Sequence, residues 1–186
     1  MKIILVDINN KLVTSWKKYL SVFNLDCVEI KNCNILTLNA DAIVSPANSF
    51  GFMDGGIDLL YTRFFGIELQ NKLQKIIREK YDGELLVGQA VCVPTNSEQI
   101  PYCISAPTMR VPQMLTSFEP IYLSTRAAIR CALKLDIKSV IMPGMGTGTG
   151  RVDLDKAAYV MLLAIRDTLN PPVFPSHLNE IQNVNY

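Results

Sequence analysis

The sequence predicts an α/β protein: a three-layer α/β/α sandwich on a mixed, mostly parallel sheet. Short apolar runs alternate with stretches whose apolar residues recur at three and four, the pattern of strands alternating with amphipathic helices. The first strand, helix and second strand fit within about thirty residues, the size of a right-handed parallel crossover unit. Two glycine-bearing loops each join a strand to a helix. That junction is where open α/β sheets collect ligands.

The elements follow in order. Residues 2–6 are an apolar run that reads as a buried strand, ended by Asp7-Ile8-Asn9-Asn10. Leu12, Val13, Trp16, Tyr19, Leu20 and Phe23 share one helix face, with lysines opposite. Cys27-Val28-Glu29-Ile30 and Ala42-Ile43-Val44-Ser45 read as the second and third strands, separated by a linker rich in asparagine and leucine. The third strand runs into Pro46-Ala47-Asn48-Ser49-Phe50-Gly51-Phe52-Met53-Asp54-Gly55-Gly56. A helical region starts near Ile57, with Leu59, Leu60, Phe64, Phe65, Leu69, Leu73, Ile76 and Ile77 at helical spacing and a break at Gly66.

Further strands are expected over 85–93, interrupted at Gly88-Gln89, and over 102–106. A long connection, residues 107–117, has the length of a loop with a job. A helix over 120–135 follows, with Ile121, Tyr122, Thr125, Ala128, Ile129 and Leu133 inward. Ser139-Val140-Ile141 leads through the second glycine loop to a helix over 153–169. Residues 1–170 are expected to be one domain, and 171–186, with several prolines and the sole histidine, His177, a tail with little regular structure.

At 186 residues the chain is long enough to bury a core without metal or disulfide staples. Lys+Arg 18 against Asp+Glu 17 leaves a formal net charge of +1, so no overall field draws it to nucleic acid or an anionic membrane. Phosphate binding, if present, must be local. The 5 cysteines are odd in number and include no C-x-x-C pair, which points to a reducing cytosol. No signal peptide or membrane span is recognisable, and a soluble, cytoplasmic protein is expected.

The second glycine loop, Met142-Pro143-Gly144-Met145-Gly146-Thr147-Gly148-Thr149-Gly150-Arg151, carries four glycines between small residues. Glycine is costly to order, and its use here lets a main chain press against a ligand. At a helix mouth, free amides and the helix dipole favour an anion. A tight turn with nothing bound is the plainer reading. Two such loops facing each other would suit a diphosphate, or a phosphate with an attached sugar. The loop lacks the G-x-x-x-x-G-K-[ST] and G-x-G-x-x-G spacings, which argues against kinase, ATPase and dehydrogenase chemistry.

In the first loop, Asn48, Asp54 and Asp58 bracket the glycines. Carboxylates repel a bare phosphate at contact distance, so hydroxyls or a water suit them better. Amides for phosphate with Asn and Asp for a diol describe a ribose diphosphate ligand. The alternatives are a turn-forming side chain for Asn48 and helix caps for Asp54 and Asp58. Arg151 would meet a diphosphate, or pair with Asp153 or Asp155. No cofactor is implied, no His and Cys cluster has metal-ligand spacing, and there is no G-x-S-x-G elbow.

These motifs resemble a macro domain, the ADP-ribose-binding module. Asn39-Ala40-Asp41-Ala42-Ile43-Val44-Ser45-Pro46-Ala47-Asn48 is similar to the family's D-A-I-V-N-A-A-N stretch. Asp54-Gly55-Gly56-Ile57-Asp58 resembles its G-G-G-V-D loop, and residues 143–150 its second ligand loop. The likeness spans roughly residues 25–170 and is of the stand-alone type found in bacteria and their viruses.

The resemblance implies a role for each matching position. Asn34 falls where many members carry an aspartate that accepts from the adenine amino group, with Ile35 supplying an amide. Asparagine still accepts through its carbonyl, but without the charge. Asn48 would face the distal ribose. Gly55, Gly56 and Ile57 would offer amides to one phosphate, while Gly144, Gly146, Thr147, Gly148, Thr149 and Gly150 wrap the other and the distal ribose. Phe118 is a platform candidate for adenine or ribose.

Some members read ADP-ribose, and others hydrolyse it from proteins, nucleic acid, acyl groups or a 1″-phosphate. Hydrolysis at the anomeric carbon needs a positioned water. Asp58 would orient or activate it with help from Asn48, and Asp54 is the third catalytic candidate. Partners would be ADP-ribose, an ADP-ribosylated substrate or an NAD-derived signal. A non-catalytic receptor, and a scaffold that has lost its ligand, are the competing classes.

Overall fold

The structure, a computed structural model, describes residues 1–171, 174, 175 and 177. Most of the expected tail therefore lies outside the described residues. Strands β1 (Lys2–Val6), β2 (Val28–Lys31), β3 (Ala42–Ser45), β4 (Val91–Pro94), β5 (Tyr102–Ser105) and β6 (Ser139–Met142) form one sheet in the order β2-β1-β6-β3-β5-β4. Every pairing is parallel except β4 with β5. This is the mixed, mostly parallel sheet that the alternation of elements predicts.

Among the described residues five α-helices cover the two faces: α1 (Asn10–Phe23), α2 (Gly56–Phe65), α3 (Glu68–Lys80), α4 (Glu119–Lys134) and α5 (Leu154–Leu169). Because strand side chains alternate, each strand feeds two cores. Ile3, Leu5, Val44, Ile104, Val140 and Met142 pack with Leu12 and Trp16 of α1, Ile129 of α4 and Met161 of α5. Ile4, Val6, Ile43, Cys103 and Ile141 pack on the other face with Tyr61 of α2 and Leu69, Leu73 and Ile77 of α3. The layers are therefore α1, α4 and α5, then the sheet, then α2 and α3. No described helix is long and apolar enough to cross a membrane.

Two expectations need correction. The strand read over 85–93 shrinks to Val91–Pro94. Gly88 has φ +93°, Gln89 N donates to the Leu86 carbonyl, and Leu85 N is taken by Ser49 O, so 85–90 turns instead of extending. Leu133, expected inward, is 45% exposed.

The sheet order decides where the site lies. β3 and β6 are direct neighbours, with Ala42 beside Val140 and Ile43 beside Ile141. Both run the same way, so the loops that leave their carboxyl ends emerge side by side.

Candidate functional site

The first loop, between β3 and α2, is held by its own polar groups. Asn48 Oδ1 accepts from Phe50 N at 3.1 Å and Phe52 N at 3.3 Å, and Asn48 Nδ2 donates to the Phe52 carbonyl at 2.7 Å. Asn48 is thus the turn-forming side chain of its loop. Gly51, at φ +68°, packs so tightly that a Cβ would lie 2.9 Å from Ile77 Cδ1. Gln70 and Thr62 then clamp Met53, with Met53 N donating to Gln70 Oε1 and Thr62 Oγ1 to the Met53 carbonyl.

α2 begins behind Gly55, an extended N-cap with no side-chain cap bond. Neither Asp54 nor Asp58 caps the helix, which overturns the capping alternative. The first-turn amides have no intrahelical acceptor. Asp58 turns toward the sheet instead, where Ser45 Oγ donates to its Oδ1 at 2.6 Å. Only 6% of Asp58 is exposed. Burial pushes its pKa from 3.8 up to about 7, and the bond from Ser45 partly offsets this. Burial also raises the pKa of its neighbours Tyr61 and Cys103.

The second loop, between β6 and α5, folds on itself. Gly146 has φ +71°, and a Cβ at Gly150 would lie 2.5 Å from the Gly146 carbonyl oxygen. Both positions require glycine. Arg151 N closes the turn on Gly148 O at 3.0 Å. Asp153 caps α5 by accepting from Lys156 N at 3.0 Å, so part of the first turn expected to receive an anion is already satisfied. The loop itself is what fronts the cleft.

The long connection straps the two loops together. Thr108 N donates to Ala47 O at 3.0 Å and Ser49 N to Met109 O at 3.1 Å, while Leu115 N donates to Gly150 O at 3.0 Å. The Leu115 side chain packs beside Gly146 and Gly150. The loops enclose a cleft of about 590 Å³, within the ordinary range for a small-molecule site.

Asn48, Asp54, Gly55, Gly56, Ile57, Asp58, Gly144, Gly146, Thr147, Gly148, Thr149 and Gly150 all line this cleft. The structure brings these expected residues together. Asn34, Ile35, Phe118 and Arg151 are not among the lining residues. Asn34 sits past the edge strand β2 and caps a single 3-10 turn by accepting from Leu36 N. Ile35 is buried in the core under α2 and α3. The Phe118 ring lies under Lys156 Nζ, and Arg151 Nη1 rests on Met114 Sδ without pairing with Asp153 or Asp155 among the described ion pairs.

The sequence reading missed Asp7, Ile8 and Asn9, which line the cleft after β1. β1 lies beside β6, so its carboxyl end opens into the same crevice. Asp7 Oδ1 accepts from Asn9 N at 2.8 Å, and Asn9 in turn caps α1. Ile8 is 77% exposed. The polar break Asp7-Ile8-Asn9-Asn10 at the carboxyl end of the first apolar run was the available signal.

The family model described as Macro domain matches residues 44–161. The chain belongs to the macro domain family. An uncharacterized protein of Aquifex aeolicus is 36% identical over 139 residues, covering 75% of this chain and 81% of the relative. One from Aeropyrum pernix is 30% identical over 131 residues, covering 70% and 66%. The macrodomain of Mycobacterium tuberculosis DarG superposes with a TM-score of 0.64 at 24% identity, covering 74% of this chain and 88% of that one. An Oceanobacillus iheyensis macrodomain mutant with ADPR gives 0.65 at 20%, covering 74% and 76%. At these identities the structural likeness speaks for the fold. The matched macro domain segment holds both glycine loops and their strap, whereas the cleft residues Asp7, Ile8 and Asn9 fall outside it.

Proposed function

We propose that the cleft binds ADP-ribose or a related NAD-derived nucleotide and that the chain hydrolyses an ADP-ribosyl linkage. The observation that carries the reading is the adjacency of β3 and β6, which turns two amide-bearing loops onto one crevice. Such a pair suits a diphosphate. Membership of the macro domain family and the likeness to a macrodomain with ADPR support the same ligand.

In the hydrolytic step, water attacks the anomeric carbon as the bond to the attached group breaks with its electron pair. The attached group leaves with that pair and takes up a proton. Asp58 accepts the proton of the attacking water. A buried carboxylate whose pKa is pushed to about 7 is matched to that task at neutral pH.

A non-catalytic receptor is the second reading. It is favoured by the engagement of Asn48 within its own loop and of Asp58 with Ser45. Calorimetry with ADP-ribose tests binding, and the proposal expects saturable heat. Incubation with ADP-ribosylated protein separates the readings: the enzyme releases free ADP-ribose, and the receptor releases none.

A further inference from the structure

α2 leaves apolar side chains in water. Its inward side buries Asp58 and Tyr61, while Ile57, Leu60 and Phe64, spaced at three and four, share the other side. Leu60 is 47% exposed and Phe64 43%. Ile67, at the corner where α2 gives way to α3, is 51% exposed and continues the run. A surface helix ordinarily turns charged side chains to water. α3, on the same face of the sheet, does so with Glu68, Asn71, Lys75, Arg78 and Glu79, whereas Arg63 is the one exposed charge of α2. The apolar exposure is therefore local to α2 and its corner.

The Phe64 ring is held in place. Phe65 meets it edge-on, with ring centroids 4.9 Å apart, and Phe65 in turn leans on buried Tyr61. An aromatic side chain fixed before contact loses little entropy on binding, as an interface anchor requires. Opposite charges frame the same segment: Arg63 precedes Phe64, and Glu68 follows Ile67. Both are exposed, and neither joins an ion pair among the described residues. The order of cation, two apolar side chains and anion is self-complementary. A two-fold axis passing near Gly66, between Phe64 and Ile67, lays Arg63 of each copy against Glu68 of the other and Phe64 against Ile67.

We infer that two copies of this chain associate through the outward side of α2 and its corner with α3. The contact stands on surface residues and not on the nucleotide reading, so either can fail alone. So few apolar side chains make a small interface, and the dimer is weak and concentration-dependent.

Sedimentation of the full chain over a concentration series tests this. The wild type should pass from monomer to dimer as concentration rises. Phe64→Ser should raise the dissociation constant at least about tenfold, while circular dichroism melts report that the fold is kept. Arg63→Glu and Glu68→Arg should each weaken the dimer, and the two together should restore it, because the double reversal rebuilds the ion pairs across the two-fold. A wild type that stays monomeric at every soluble concentration overturns the inference and leaves the stripe to an unlike protein. A dimer indifferent to Phe64→Ser, or one that the double reversal does not restore, overturns it as well.

Discussion

Ser45 Oγ donates to Asp58 Oδ1 at 2.6 Å, joining the end of β3 to the first turn of α2 beneath the cleft. Among the described residues no cation pairs with that carboxyl. The facing polar or titratable groups are Ser45 from β3, Tyr61 from α2 itself and Cys103 from β5. None of them supplies positive charge.

This arrangement makes stability depend on pH. The folded pKa of Asp58 is raised from 3.8 to about 7, so its neutral form is the one the fold favours. The stabilising contribution is fully present below the unfolded value and is lost as pH rises through about 7. The full gap corresponds to on the order of 4 kcal/mol as an upper bound. Asp58→Asn keeps the shape without the charge. Thermal melts should show it gaining on the wild type at pH above about 8 and showing no gain near pH 4. An unchanged difference across that range contradicts the assignment.

Catalysis should follow the opposite limb. If Asp58 takes a proton from water, release of ADP-ribose from a modified protein should rise as pH passes about 7. Ser45→Ala removes the bond that favours the ionised form, and single-turnover profiles should then shift to higher pH. A profile that is flat and insensitive to Ser45 leaves Asp58 without this role.

Two of the four glycines of the second loop, Gly148 and Gly150, should separate folding from binding. Space around a Cβ on Gly148 is open, so Gly148→Glu should keep the wild-type melting temperature and lose ADP-ribose binding through charge repulsion. Gly150→Ala drives a Cβ against the Gly146 carbonyl and should cost about 1–3 kcal/mol of stability. Equal melting temperatures for the two variants contradict this packing.

The strap is expected to support the site from outside. Leu115 packs against Gly146 and Gly150 and its amide holds Gly150 O. Leu115→Ala should lower stability by about 2 kcal/mol and weaken ADP-ribose binding, as read by melting and calorimetry. Unchanged affinity would mean that the second loop holds its shape alone.

Much of this was legible in the chain. Helical spacing from Leu12 to Phe23 and from Leu59 to Ile77 marked helices that the structure contains, and apolar runs marked their strands. Both glycine loops also appear where strand-to-helix junctions put them. Strand order was not legible, because pairing is a contact between distant segments. It alone brings Asp7 into the cleft beside Gly144. The turn at 85–90 was hidden because Gly88 reads as a strand interruption until its left-handed φ is seen.

The most direct measurement is a titration of isotopically labelled protein with ADP-ribose, followed at the backbone amides of Gly55, Gly56 and Ile57 in one loop and Gly146, Gly148 and Gly150 in the other. If the two loops share one crevice and one diphosphate, both sets shift together and fit a single dissociation constant. Shifts confined to one loop, or two sets with different constants, would contradict it.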